Sequence, residues 1–217
     1  MPVIRVALEI GSRRTFASAL DWAGWCRAAK GQKEAIQALA DYAGRYARVA
    51  AGADVRFAPK PWDFRVIEHL DGDATTEFGA PGVPAKLESE PMTKAEVDRM
   101  CTLVQACWVE LDKIVKRAQP SLRKGPRGGG RDRDKIVDHV LAAEGAYGSK
   151  LGLKLRQPSI DDRKGVAAHR KTILDALGAS GDGRPLREGG WTARYAARRI
   201  AWHATDHAWE IEDRTEP

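Results

Sequence analysis

The sequence predicts an α+β fold: a small α+β module over residues 1–88, followed by an antiparallel four-helix bundle over residues 93–217. Three observations carry this reading. Apolar residues alternate from Val3 to Ile10 with the period of two expected of a half-buried strand. From Thr93 onward apolar residues recur every three or four positions along four long stretches, as the core stripes of a bundle do. Between them, residues 71–92 carry Gly, Pro, Thr and Asp and read as a linking loop.

The first strand is Val3 to Ile10, with Val3, Ile4, Val6, Leu8 and Ile10 as its apolar members. Gly11-Ser-Arg-Arg makes a turn, and Thr15 to Leu20 returns antiparallel. Gln32 to Val49 reads as one helix with Ala35, Ile36, Leu39, Tyr42, Ala43 and Tyr46 on one side. Val55-Arg-Phe57 and Phe64 to Leu70 are further strand candidates.

Thr93 with Glu96 three residues on forms a capping box. Val97, Cys101, Val104, Trp108, Leu111, Val115 and Ala118 follow as a stripe that ends before Pro120. Asp132 or Asp134 can cap a second helix bearing Ile136, His139, Val140, Ala143, Tyr147 and Leu151. Pro158-Ser159 opens a third, with Val166, Ile173, Leu174 and Leu177, and Gly178 closes it. Residues 181–190 form a loop, and Trp191 to Asp213 reads as the fourth helix.

The bulk properties set limits on class and partners. Hydrophobic residues make up 43% and charged residues 30%, as in an ordinary globular chain. No run approaches the length of a membrane span. The start is too short and too soon charged for a signal peptide, so a cytoplasmic location is expected. Three cysteines without a Cys-x-x-Cys argue against a disulfide framework and a thiolate zinc site, and Cys101 reads as a core residue. Of the net charge of +6, Arg123 to Lys135 supplies six basic and two acidic residues, leaving +2 for the rest. That segment is either a solvated inter-helix loop or a loop that grips anions. It holds no aromatic residue for base stacking, which disfavours nucleic acid as a partner.

The chemistry concentrates in the histidines. In the last helix Ala196, Ile200, His203, His207 and Ile211 share one face, so two imidazoles interrupt a stripe that should be apolar. A pair at i and i+4 can aim two ring nitrogens at one ion. His139 shares a face with Ile136 and Ala143 and should also point inward. Three imidazoles from two helices would form a facial set with open positions for water or substrate. Inward histidines also occur as hydrogen-bonded core residues, so the convergence of the third decides between the two readings. Asp138, Glu144, Asp206 and Glu210 are candidates to orient the rings, with Glu144 and Glu210 better placed for the interior. His69 falls in the strand region, and His169 among Ala168, Arg170 and Lys171 reads as a solvated-face residue. Arg194, Arg198 and Arg199 are candidate binders of acidic cofactor or substrate groups, against the alternative of a solvated helix face. Trp202 and Trp209, seven apart, should pack on the first bundle helix or on the N-terminal module, with Trp22, Trp25 and Trp62 as partners.

Asp134-Lys-Ile-Val-Asp-His139-Val-Leu-Ala-Ala-Glu144 and Tyr195-Ala-Ala-Arg-Arg-Ile-Ala-Trp-His203-Ala-Thr-Asp-His207 resemble the second and last helices of the DinB-like superfamily. These four-helix bundles include thiol-dependent S-transferases and mycothiol-dependent maleylpyruvate isomerase. The resemblance covers roughly residues 93–214. It implies that His139, His203 and His207 bind a divalent ion, zinc or nickel, and that a low-molecular-weight thiol such as mycothiol is the cofactor. Val6-Ala-Leu-Glu-Ile-Gly and the stretch from Phe16 to Ile36 are more faintly similar to the HicB-like strand–strand–helix unit, although Ala23 stands where that pattern has proline.

The expected function is therefore a metal-dependent transferase or isomerase acting on a small-molecule thiol and an electrophile, with a homodimer left open. The alternative is a non-catalytic metal-binding or interaction module contacting protein or nucleic acid.

Overall fold

A computed structural model describes residues 3–57, 63–125 and 129–215, and the chain folds as a mixed α+β structure. Strand β1 (Val3–Ile10) pairs antiparallel with β2 (Thr15–Ala19), which pairs antiparallel with β3 (Cys26–Ala29). Strand β4 (Asp63–Asp71) adds parallel to the free side of β1, giving the order β3-β2-β1-β4. The register of β4 shifts at Val6/Ala7.

Both faces of β1 are covered. One face gives Ile4, Val6 and Leu8, with Ala17 and Ala19 of β2, to the main core, which also takes Ala35, Leu39, Tyr46 and Val49. On the other, Ala7 and Leu20 pack on Ala85 and Leu87, while Phe16 and Cys26 pack on Trp202. Buried Glu9 faces the same way and accepts from the backbone of Gly82 and Val83 and from the Thr76 hydroxyl.

Three expectations for this half need correction. The helix over Gln32 to Val49 is two helices, α1 (Gln32–Asp41) and α2 (Ala43–Gly52), separated at Tyr42, where ψ is 0°. The apolar period runs through the break, so the stripe concealed it. Val55–Phe57 is no strand: Phe57 leaves the sheet for an aromatic cluster with Trp22, Trp25 and Tyr46. Residues 71–92 contain α3 (Ala74–Phe78), whose cap Asp73 accepts from Thr75 and Thr76, and a short 3-10 turn at Lys86–Ser89.

Four long helices follow: α4 (Lys94–Arg117), α5 (Arg133–Lys150), α6 (Arg163–Gly178) and α7 (Ala193–Arg214). The Thr93/Glu96 capping box forms as expected. Asp132 precedes α5, but its carboxylate accepts from Leu122 N and pairs with Lys124, so it caps no helix amide. Helix α6 starts later than Ser159 because the Asp162 side chain accepts from Gly165 N and fixes the first turn there. Helix α7 packs most extensively on α4, and also on α5 and α6.

Helix α7 also faces the sheet layer. Its Trp202 meets Phe16 edge-on and its Trp209 lies 5.1 Å from Tyr42, so both tryptophans do reach the N-terminal segment. Trp22 and Trp25 are not their partners but join the cluster of Tyr46 and Phe57, and Trp62 lies outside the described residues. The Thr205 hydroxyl donates to Gly24 O at 2.8 Å. Gly24 adopts φ +92°, and a Cβ there would come within 2.7 Å of Cys107 Sγ, so glycine is required for this close approach. One continuous apolar cluster runs from Ile4 to Ile211 through both segments.

Candidate metal centre

The three histidines of the second and last long helices converge. Helix α5 presents His139 beside buried Ile136 and Val140, and α7 presents His203 and His207 one turn apart. Ring centroids are 5.0 Å apart for His139–His203, 5.0 Å for His139–His207 and 4.6 Å for His203–His207. One ligand nitrogen from each lies within 4.8 Å of the other two. Nitrogens at zinc-bond length in tetrahedral array stand about 3.4 Å apart, so the set closes on an ion with small side-chain rotations.

Burial favours the neutral, ligand-competent imidazole. His203 is 7% exposed, and its pKa is pushed down to about 2, first by desolvation and then by His207 and His139. His139 is half-buried and shifted the same way, again mainly by desolvation. The buried Nδ1 of His203 has no hydrogen-bond partner among the described residues. His207 Nδ1 lies 2.8 Å from Glu210 Oε2, and Glu210 in turn accepts from Arg214 at 2.6 Å. A Nδ1–H donated to that carboxylate fixes the tautomer and leaves Nε2 of His207 free to bind. The residues present therefore fit a divalent ion: three imidazole nitrogens from two helices, one ring oriented by a carboxylate, with coordination positions left over.

The other candidates separate. Of the proposed ring partners only Glu210 reaches a histidine of the trio. Asp138 accepts from Gln157, and Asp206 pairs with Arg27. Glu144 is interior as expected, but it pairs with Arg170, and burial pushes its carboxyl pKa up. His169, expected on a solvated face, is 5% exposed and its Nε2 stands 3.9 Å from Glu144, because α6 turns that side inward against α5.

The solvated-face alternative for the arginines is also corrected, since Arg198 and Arg199 are buried and Arg194 is largely so. Arg198 holds Glu88 through Nε at 2.6 Å and Nη2 at 3.0 Å and points to the sheet side. Arg194 stands nine residues before His203, on the opposite helix face, with Glu96 at 3.9 Å. Arg199, four residues before His203, shares the histidine face. Tyr147 and Trp191 were not anticipated here. Tyr147 sits 5.8 Å from the His203 ring and accepts from Arg199 at 3.4 Å, while Trp191 packs on Tyr147. Tyr147 carried a weak signal as a polar member of the second-helix stripe, and Trp191 carried none.

The basic segment clasps the end of α7. Arg123 N donates to Arg214 O, Arg123 Nη2 donates to Asp213 O, and Arg214 donates to the Arg123 and Arg131 carbonyls. Cys26 and Cys107 are fully buried, with thiol pKa values raised by desolvation, and Cys101 is half-buried. No thiolate of the chain is thus placed near the trio. A cavity of about 1020 Å³ opens between α4, α5 and α6, lined by Trp108, Val109, Leu141, Val166, Arg170 and Leu174, but not by the three histidines.

No helix among the described residues is long and apolar enough to cross a membrane. Comparison of the chain with protein-family models, with curated proteins and with solved structures returns no match.

Proposed function

We propose that the chain is a metal-dependent transferase or isomerase of the DinB-like type, holding zinc or nickel at His139, His203 and His207 and using a low-molecular-weight thiol such as mycothiol. In this reading α4, α5, α6 and α7 are the four antiparallel helices of the bundle over 93–217, and residues 1–88 form a module laid against it. The observation that carries it is the convergence of three imidazoles from two helices on one point. An ion there supplies positive charge that favours the thiolate form of a thiol brought to it. The chain's own part is to keep the His203 and His139 rings neutral by burial, to hold His207 through Glu210, and to offer no competing cysteine. The thiol must therefore arrive with the cofactor. Small-molecule partners and a cytoplasmic setting go with this reading.

Elemental analysis of protein purified without an affinity tag tests it. Wild-type protein should carry about one divalent ion per chain, and His207→Ala should carry none. Unchanged stoichiometry in the variant would remove the site. Titration of the cobalt-substituted protein with small thiols should then shift its visible spectrum. Metal present with no response to any thiol would leave a structural ion and favour the non-catalytic module.

A further inference from the structure

Adjacent residues of α7 treat their charge in opposite ways. The Arg198 guanidinium is buried against the Glu88 carboxylate. The Arg199 guanidinium is buried equally, at 5% exposure, yet pairs with no carboxylate among the described residues. Its Nη1 donates to Pro81 O at 2.7 Å, its Nη2 reaches the Tyr147 hydroxyl at 3.4 Å, and its Nε has no hydrogen-bond partner among the described residues. Aromatic faces take the rest of its surroundings, with Trp202 at 5.2 Å and Tyr147 at 5.4 Å. A guanidinium offers five donors and keeps its charge, so an unpaired one in such a site is costly unless an anion completes it.

We propose that Arg199, with the Tyr147 hydroxyl, is an anion subsite for a carboxylate of the small molecule that occupies the histidine centre. The inference rests on the proposed function and names the class of its ligand. Three features place the subsite there. Arg199 lies one turn before His203 on the same helix face. Tyr147 touches both the guanidinium and the His203 ring. Tyr147 and Trp191, whose rings lie over the guanidinium, are themselves only half-buried, so this side of Arg199 lies near the protein surface. A planar carboxylate matches the guanidinium fork, and water is largely excluded from the pair. Arg198 is spent on Glu88, and Arg194, on the opposite helix face with Glu96 at 3.9 Å, takes no part.

The test is calorimetric binding to metal-free protein, so that a failed ion assignment does not mask the result. Maleate probes the carboxylate alone, mercaptoacetate carries carboxylate and thiol, and 2-mercaptoethanol carries thiol without charge. Wild-type protein should bind maleate and mercaptoacetate saturably. Arg199→Gln should weaken both by about 10–100-fold, the loss of one charge-assisted contact. Arg199→Lys should recover only part of it, and Tyr147→Phe should weaken binding by a few-fold. In metal-loaded protein 2-mercaptoethanol should bind wild type and Arg199→Gln alike. A loss confined to maleate places the carboxylate on the electrophile, and an equal loss for both probes places it on either reactant. Equal carboxylate affinity in wild type and Arg199→Gln overturns the proposal. Should Arg199→Gln not fold, unchanged affinity in both Arg199→Lys and Tyr147→Phe overturns it instead.

Discussion

Substitution Glu88→Gln isolates the buried ion pair that ties α7 to the 3-10 turn at Lys86–Ser89. Glu88 is 1% and Arg198 6% exposed, and the pair is bidentate at 2.6 and 3.0 Å. Glutamine keeps the volume but removes the counter-charge. Arg198 then retains only neutral acceptors: the glutamine amide oxygen, Val83 O at 2.9 Å and a marginal contact to the Ser18 hydroxyl. Stranding one member of a buried pair costs about 3–5 kcal/mol. With a urea slope of about 2 kcal/mol per molar, the midpoint should fall by about 2 M. Unfolding is followed by far-ultraviolet circular dichroism in the presence of EDTA, so that bound metal does not contribute. The double variant Glu88→Gln/Arg198→Met has no stranded charge and should lie within about 2 kcal/mol of wild type. A single-variant loss below about 1 kcal/mol, or a double variant worse than the single, would refute the account of Arg198 as a structural cation.

Two further perturbations bear on the histidines. Glu210→Gln should weaken ion binding about 10–100-fold in competition with a chromophoric chelator, since the ring of His207 loses its carboxylate acceptor; undiminished affinity would deny Glu210 its orienting role. In metal-free protein the depressed pKa of His203 makes its contribution to stability complete above the unfolded value near 6.5 and progressively lost as pH falls below it. At pH 4.5 that loss is about 2–3 kcal/mol, and His203→Phe should flatten the stability–pH curve by this amount. Parallel curves for the two proteins would show that His203 is not held neutral by burial.

Much of the architecture was legible because the signals were local. The strand alternation of β1, the Gly11 turn, the capping box of α4 and the stripe of α7 all sit in short windows of sequence. The trio was legible for a related reason: histidine on an otherwise apolar face contradicts the pattern around it, and helical periodicity alone brings His203 and His207 together. What stayed hidden is non-local. The break at Tyr42 leaves the apolar period intact. Strand β3 is four residues long and has no alternation to read. His169 is followed by Arg170 and Lys171, yet it faces Glu144, 25 positions away in sequence. The differing fates of Arg198 and Arg199 depend on Glu88 in one case and on Pro81 and Tyr147 in the other, which no window around α7 contains.

Helix α7 has no side to spare. One flank carries the imidazoles, while Trp202, Thr205 and Trp209 are seated against Phe16, Gly24 and Tyr42. A fragment starting at residue 93 would keep every proposed ligand and still turn two indoles and a row of alanines toward water. Such a fragment should self-associate at concentrations where the full chain remains dispersed. Grafting the centre elsewhere would require carrying the strands along with it.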